Sequence, residues 1–446
     1  MVALALTVIA VIVVSGTAAV PASARGTFTD WLVYHRNALR TGYQPKTPPI
    51  GTLAKAWTAT LDGAVYAEPL VIKATLITAT ENDTVYALDP ATGTVRWQRH
   101  LATPVPLSSL PCGNIDPLGI TGTPAYDSTS GRLFVALEQK SGTAISHRLY
   151  SLDPATGSVL GSVSIDPSGS DPVAEQQRGA VAVSRNKVYV VYGALAGDCS
   201  DYRGYVVGIR TDLTGGLMVY SANKYFSGAS RGGIWATPGP TIDSNGRLWV
   251  AVGNGASTTT YDGSDSVLRL SPILNMTDYF APTTWAQDNA ADKDLGSQGP
   301  ALVGTFVYAD GKSGTAYLLN QSGLGHIGGQ VVSASVCRSY GGTAVVGMTV
   351  YVPCDDGIRA VDLTGGAIHV LWHAAATTAK GPPVVGGGAV WALGISDGIL
   401  YAISPTDGST LTSISVGSVE HFATPTLSGS SVFVPTVSGV VAVTGA

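Results

Sequence analysis

The sequence predicts an all-β fold, a closed eight-bladed β-propeller of four-stranded blades. Three observations predict it. The first is composition. Of 446 residues, 45% are apolar, 12% are charged and 55 are glycine, whereas a charged share of ~25% is usual. Glycine-rich chains with abundant Val, Thr, Ser and Tyr favour strands and tight turns over helices. The second is a repeat. Val85-Tyr86-Ala87-Leu88-Asp89-Pro90-Ala91-Thr92-Gly93, ending at Trp97, returns as Leu149-Tyr150-Ser151-Leu152-Asp153-Pro154-Ala155-Thr156-Gly157. Weaker copies begin at Val206, Val267, Ala316, Ile358, Leu400 and Val440. Each is a short strand, and the better copies enter a turn that places Gly at a positive-φ position. The third is a small residue, often in Thr-Pro, that precedes two or more apolar residues upstream of every copy. These centre on Pro69, Pro124, Ala180, Pro238, Pro300, Ala344, Pro383 and Pro425, in steps of 55, 56, 58, 62, 44, 39 and 42. Four-stranded units at such a period are the signature of a propeller.

In chain order, the first segment stands apart. Val2 to Val14 is apolar except for Thr7, and Ala22-x-Ala24 follows. A short apolar run with a small-residue cleavage site reads as a signal peptide. It is shorter than the ~20 apolar residues of a comfortable membrane span. No Lys or Arg precedes it. The expected organisation is therefore a signal peptide over 1–24, a lead-in over 25–52 and one propeller over 53–446. Export implies a secreted, cell-surface or periplasmic protein with no membrane span after cleavage, and a monomer is expected. Net charge is −5 with no basic stretch, which argues against nucleic-acid binding by phosphate neutralisation.

Each blade reads as an inner strand, a hairpin of two more strands and an outer strand. Leu133-Phe134-Val135-Ala136 and Val350-Tyr351-Val352-Pro353 are second strands. Asp356-Gly357 and Asp397-Gly398 mark hairpin turns. The eighth unit stops after its third strand. The N-terminus holds a spare one, Leu53-Ala54-Lys55-Ala56-Trp57-Thr58, whose Trp57 matches Trp97 of the first unit. Residues 53–60 are thus expected to complete blade eight and close the ring, removing exposed edges.

Cys112, Cys199, Cys337 and Cys354 include no C-x-x-C pair. That leaves no thioredoxin-type site and no haem attachment, and two structural disulfides are expected. Sequence alone allows three pairings. The repeat register narrows them. Cys337 precedes the inner strand of blade six and Cys354 ends its second strand. Cys112 and Cys199 lie in loops reaching the same face. The expected pairs are Cys337–Cys354 and Cys112–Cys199.

The run Tyr-Ala-Leu-Asp, turn, Thr-Gly, then Trp resembles the quinoprotein-like propeller repeat. Trp31-x-x-Tyr34-His35-Arg36-Asn37-x-x-Arg40-Thr41-Gly42-Tyr43 looks like the lead-in of secreted bacterial members. The resemblance covers about residues 30–446. It implies the fold, and its superfamily contains alcohol and glucose dehydrogenases beside non-catalytic scaffolds. Catalytic members use pyrroloquinoline quinone (PQQ) and a calcium held by carboxylate and amide groups, with an Asp base and a cation at the quinone oxygens. Alcohol-oxidising types often add adjacent cysteines, which this chain lacks.

Several motif matches fail on this fold. Gly394-Ile395-Ser396-Asp397-Gly398 has a nucleophile spacing but falls in a hairpin turn rather than between a strand and a helix. Gly311-Lys312-Ser313 lacks the upstream glycine of a phosphate loop. His369 and His373 share a strand with no adjacent Glu, unlike a zinc protease helix. Asp262, Asp265, Asp288, Asp292 and Asp294 form an acidic cluster. Asp292 and Asp294 are weak metal candidates, since calcium wants six to eight oxygens and the loop pattern is incomplete.

Residues entering the inner strands ring one mouth of the central channel. By register these are Tyr66, Glu68, Thr121, Arg178, Trp235, Gln298, Tyr340, Lys380, His421 and Phe422. Loops carrying Asn114, Asp116 and Arg231 reach the same mouth. Aromatic groups beside polar and charged ones describe a ligand pocket, charge-paired channel filling being the alternative. Two functional readings follow. One is a secreted, non-catalytic module binding a protein, glycan or small polar ligand at this mouth. The other is a PQQ- and calcium-dependent sugar or alcohol dehydrogenase. A glycan-cleaving propeller ranks last, because it needs two facing carboxylates and only Glu68, with Asp116 or Glu420, is available.

Overall fold

A computed structural model describes residues 27–445; the proposed signal segment lies outside them. Eight sheets are present, each with four antiparallel strands, and seven of them draw those four from a single unit of the chain. Blade one is Leu70–Ile72, Thr75–Thr80, Thr84–Leu88 and Val95–His100. Its first three strands are buried, while Val95–His100 is largely exposed. The same inside-to-outside gradient recurs from blade to blade, because the inner strands face the channel and the outer ones face water. Blades three, four and seven each carry one extra short strand. The one α-helix among the described residues, Trp285–Ala290, lies between blades four and five and was not anticipated.

The ring closes as the sequence implies. Ala54–Thr60 pairs antiparallel with Gly439–Thr444, so blade eight joins the two ends of the described chain. Trp57 packs 5.8 Å from Phe433 within that blade. The repeat tryptophans then link blades to one another. Trp57, Trp97 and Trp372 each donate an indole N–H to a proline carbonyl in the turn of the next blade, at Pro90, Pro154 and Pro405. The glycine of that turn lies flat under the ring. A Cβ on Gly93, Gly157 or Gly408 would stand 2.6, 2.5 or 2.6 Å from the indole. Glycine is thus needed twice in each turn, for its positive φ and for the space.

The lead-in threads the end of the channel away from the expected mouth. Its backbone pairs with Val71 of blade one and accepts from Tyr126, Ile242, Val345 and Val385 of blades two, four, six and seven. Arg40 donates to the carbonyls of Pro240, Tyr34 and Val181. Burial lowers its pKa to about 10. Trp31, Tyr34 and His35 are fully buried. Burial also lowers the His35 imidazole to about 3, so it is neutral when its Nδ1 meets the Thr343 carbonyl at 3.0 Å. The lead-in therefore stops the channel from one side.

Blade two carries a buried charge cluster. Cross-strand register sets Glu138 opposite His147. The His147 ring lies 3.2 Å from Glu138 and 2.7 Å from Asp166. Burial disfavours its charge, but the two carboxylates outweigh that and raise its pKa to about 10.

Deleting the chain through residue 60 should abolish soluble monomer, while Trp97→Ala should cost about 2–4 kcal/mol in chemical denaturation; unchanged melting of the truncation would contradict closure. Replacing His147 with Gln should destabilise the protein by roughly 3 kcal/mol near pH 7, as for a buried pair robbed of one partner. The folded His147 holds a proton that the unfolded one releases above about pH 6.5, so its contribution declines as pH rises toward about 10. The gap between wild type and variant in pH-dependent melting should narrow over that window.

Candidate functional site at the channel mouth

The inner strands begin at the face opposite the lead-in, and the turns between second and third strands return to that face. Two disulfides fix its loops. Cys112 is bonded to Cys199 and Cys337 to Cys354, the pairing expected from the register. The first ties the loop Leu110–Leu118 to residues 195–199. The second holds residues 338–340 against blade six.

Between these loops lies a cavity of about 410 Å³. Arg178, Trp235, Tyr340, His421 and Phe422 line it, together with Thr237, Ser297, Lys312, Asp292 and the 194–198 loop. Five of the ten residues assigned to the mouth by register therefore converge here. Trp235 is held by the absence of neighbouring side chains. A Cβ on Gly233, Gly253 or Gly193 would approach its ring to 2.1, 2.2 or 2.9 Å. At the rim, the Tyr340 hydroxyl accepts from Arg338 Nη2 at 3.0 Å. His421 sits on Phe422 with centroids 4.0 Å apart. Burial first, and Arg178 second, lower its pKa.

Arg178 is the unusual member. Its guanidinium makes no hydrogen bond or ion pair among the described residues, and its Nε is buried without a partner. Its neighbour is the Phe422 ring, 5.7 Å away. Burial lowers its pKa. The Thr237 hydroxyl is likewise buried and unpartnered. Unsatisfied buried donors cost free energy unless something else meets them.

The other expected site residues lie elsewhere. Glu68 is buried and faces the lead-in: its Oε2 accepts from the His35 amide at 2.7 Å. It caps a turn that runs through positive φ at His35 and Arg36, so it does not reach the cavity, and the expectation that it joins Arg178 there is corrected. Thr121 donates to Glu81. Tyr66 lies beside Glu420; burial, then Glu420, raises its pKa. Gln298 is buried with both amide atoms unpartnered. Lys380 and Asn114 are exposed and do not line the cavity. Asp116 is exposed and caps the Leu107 amide. Arg231 is exposed, and its backbone stitches Tyr202 and Gly204 together. Charged side chains of this kind turn outward because water solvates them better than a packed mouth does.

Asp198 and Lys312 were not foreseen. Asp198 adjoins the disulfide cysteine Cys199, which was a usable signal. Lys312 sits in a second-to-third-strand turn, which the repeat register also places on this face. Asp292 and Asp294 do not form the suggested metal loop; both grip Lys312, at 2.9 and 2.7 Å. Asp262 is occupied by Ser257 and Ser264. Among the described residues, no group of three His, Cys, Asp or Glu side chains could hold a metal ion.

Comparison with known proteins places the fold. Residues 52–197 match the family model described as outer membrane protein assembly factor BamB. A polyvinylalcohol dehydrogenase of Sphingopyxis sp. (strain 113P3) is 28% identical over 250 residues, which is 50% of this chain and 34% of that one. The chain thus matches about a third of that relative's length. A quinohemoprotein alcohol dehydrogenase from Pseudomonas putida HK5 superposes with a TM-score of 0.71 at 15% identity, covering 93% of this chain and 79% of that one. BamB from Moraxella catarrhalis superposes with a TM-score of 0.58 at 16% identity, over 88% and 97%. The shared feature is the quinoprotein-like propeller.

Removing each disulfide by paired Cys→Ser replacement should cost about 3 kcal/mol for the 17-residue separation and about 4–5 kcal/mol for the 87-residue one. Peptide mapping without reduction should recover Cys112–Cys199 and Cys337–Cys354; a Cys112–Cys337 peptide would refute the arrangement.

Proposed function

We propose that this chain, a PQQ-like propeller protein related in fold to quinoprotein dehydrogenases, is an extracytoplasmic binding module. It takes a small polar ligand with an anionic group into the blind mouth of its channel. The observation that carries this reading is Arg178, a cation without a partner, beside the unpartnered Thr237 hydroxyl in a cavity of about 410 Å³. Pockets that bury a ligand combine apolar walls with a few converging polar groups, and here the walls are Trp235 and Phe422. Two disulfides support an oxidising compartment. Among the described residues, no helix is long and apolar enough to cross a membrane.

The second reading is a PQQ-dependent dehydrogenase, favoured by the polyvinylalcohol dehydrogenase likeness. PQQ would supply a two-electron acceptor. Its carboxylates would meet Arg178, and Trp235 would offer a ring face. The acids of the mouth leave calcium without a cage, which favours the binding reading.

Calorimetric titration with gluconate separates the two. Binding is expected, weakened by ~10-fold or more in Arg178→Gln, as for loss of a charged hydrogen bond. Melting should shift by no more than ~2 °C, since only the contact with Phe422 is lost. A variant that melts far lower would show that Arg178 fills the channel. Dye-linked oxidation of ethanol or polyvinyl alcohol after addition of PQQ and calcium would instead establish the dehydrogenase.

A further inference from the structure

The charges of the mouth carry more than a preference for an anion. Lys312 is answered twice, by Asp292 at 2.9 Å and Asp294 at 2.7 Å. That group keeps one net negative charge. Arg178, on the inner-strand side, is unpaired. Asp198, on the opposing loop, is unpaired as well: its carboxylate takes part in no hydrogen bond and no ion pair among the described residues. Both side chains line the same cavity. Each is close enough to influence the other electrostatically, yet they do not come within ion-pair distance. Burial, then Asp292, raises the Asp198 pKa against the opposing pull of Lys312, Arg231 and Arg178, none of which reaches ion-pair distance of its carboxylate.

The loop holds Asp198 in this position deliberately. Its φ is 49°, a left-handed conformation that an aspartate adopts at some cost. The amide of Asp198 donates to Leu195, and the adjacent Cys199 is bonded to Cys112. The fold holds two opposite, unmatched charges apart across a cavity with aromatic walls.

We propose that the ligand is a zwitterion, with its anionic group on Arg178 and Thr237 and an ammonium on Asp198, within a cavity of amino-acid or amino-sugar-acid size. This rests on the mouth being a binding site, and it adds the second charge. A purely anionic ligand would satisfy Arg178 while facing Asp198 and the net negative Lys312 group. A zwitterion satisfies both unmatched groups and adds no net charge. Trp235 and Phe422 then cover the carbon skeleton.

Two probes with one skeleton test it: gluconate, and D-glucosaminate, in which an ammonium replaces the hydroxyl beside the carboxylate carbon. Calorimetry on the full chain should give tighter binding of glucosaminate by ~10-fold, the size of one charged hydrogen bond. In Asp198→Asn that advantage should vanish and gluconate should bind several-fold more tightly, because the repulsion is gone. Asn tolerates a left-handed φ better than any residue but Gly, so the loop keeps its shape, which retention of the Cys112–Cys199 peptide would verify. Equal or tighter binding of gluconate to the wild type would overturn the zwitterion. So would a glucosaminate preference that survives in Asp198→Asn. Failure of both probes to bind would overturn the mouth as a ligand site altogether.

Discussion

Ring closure is the constraint on which everything else depends. A blade lacking its outer strand would expose the edge of the third strand, and an open array of eight sheets would expose two such edges. Pairing of Ala54–Thr60 with Gly439–Thr444 removes both. Closure by strand pairing couples residues nearly four hundred positions apart, so blade eight is not complete until Ala54–Thr60 meets Gly439–Thr444. The tryptophan contacts extend this around the ring. Each indole sits on the glycine of the next blade's turn and donates to its proline carbonyl. The same five-residue turn therefore ends one hairpin and receives its neighbour.

The closed ring has a channel, and the chain uses its own lead-in to stop one end. Trp31, Tyr34 and His35 are buried there, and Glu68 serves the lead-in amide rather than the mouth. What is left at the other end is a blind cavity. Its walls come from the inner-strand entries of blades three, four, six and eight and from the 194–198 loop, Asp292 and Lys312. The frame fixes where these loops start and the two disulfides fix where they go. Asp198 adjoins Cys199, whose bond to Cys112 anchors that backbone at the mouth. Preorganised polar groups of this sort lower the cost of binding.

Much of the fold was legible because its determinants are local. The Asp-Pro-Ala-Thr-Gly turn needs those residues for its own geometry, so it marks every good repeat. The absent fourth strand after Val440 and the surplus strand bearing Trp57 are two halves of one inference. The disulfide pairs followed once strand direction assigned each cysteine to a face. The lead-in was legible only as a resemblance. Its Tyr34, His35 and Arg40 have no periodicity, and their partners come from five blades. The mouth was half legible. Arg178, Trp235, Tyr340, His421 and Phe422 enter inner strands at equivalent positions and do converge. Glu68 shares that register yet turns inward, because a positive-φ turn in the lead-in presents an amide that needs an acceptor. Asp198 and Lys312 belong to turns of different blades, and only the three-dimensional arrangement brings them to Arg178.

The lead-in, residues 29–44, stops the channel and leaves a blind mouth at the other end. Amide hydrogen exchange tests it most directly. The amides of Trp31, His35 and Gly42 donate to Val71, Glu68 and His35, all within the channel. They should exchange as slowly as those of the buried strands Thr75–Thr80 and Ala389–Gly394, because opening them requires opening the ring. Exchange as fast as that of the exposed outer strand Val95–His100 would mean that the lead-in leaves the channel, that the cavity has no floor, and that the mouth is not the preorganised site described.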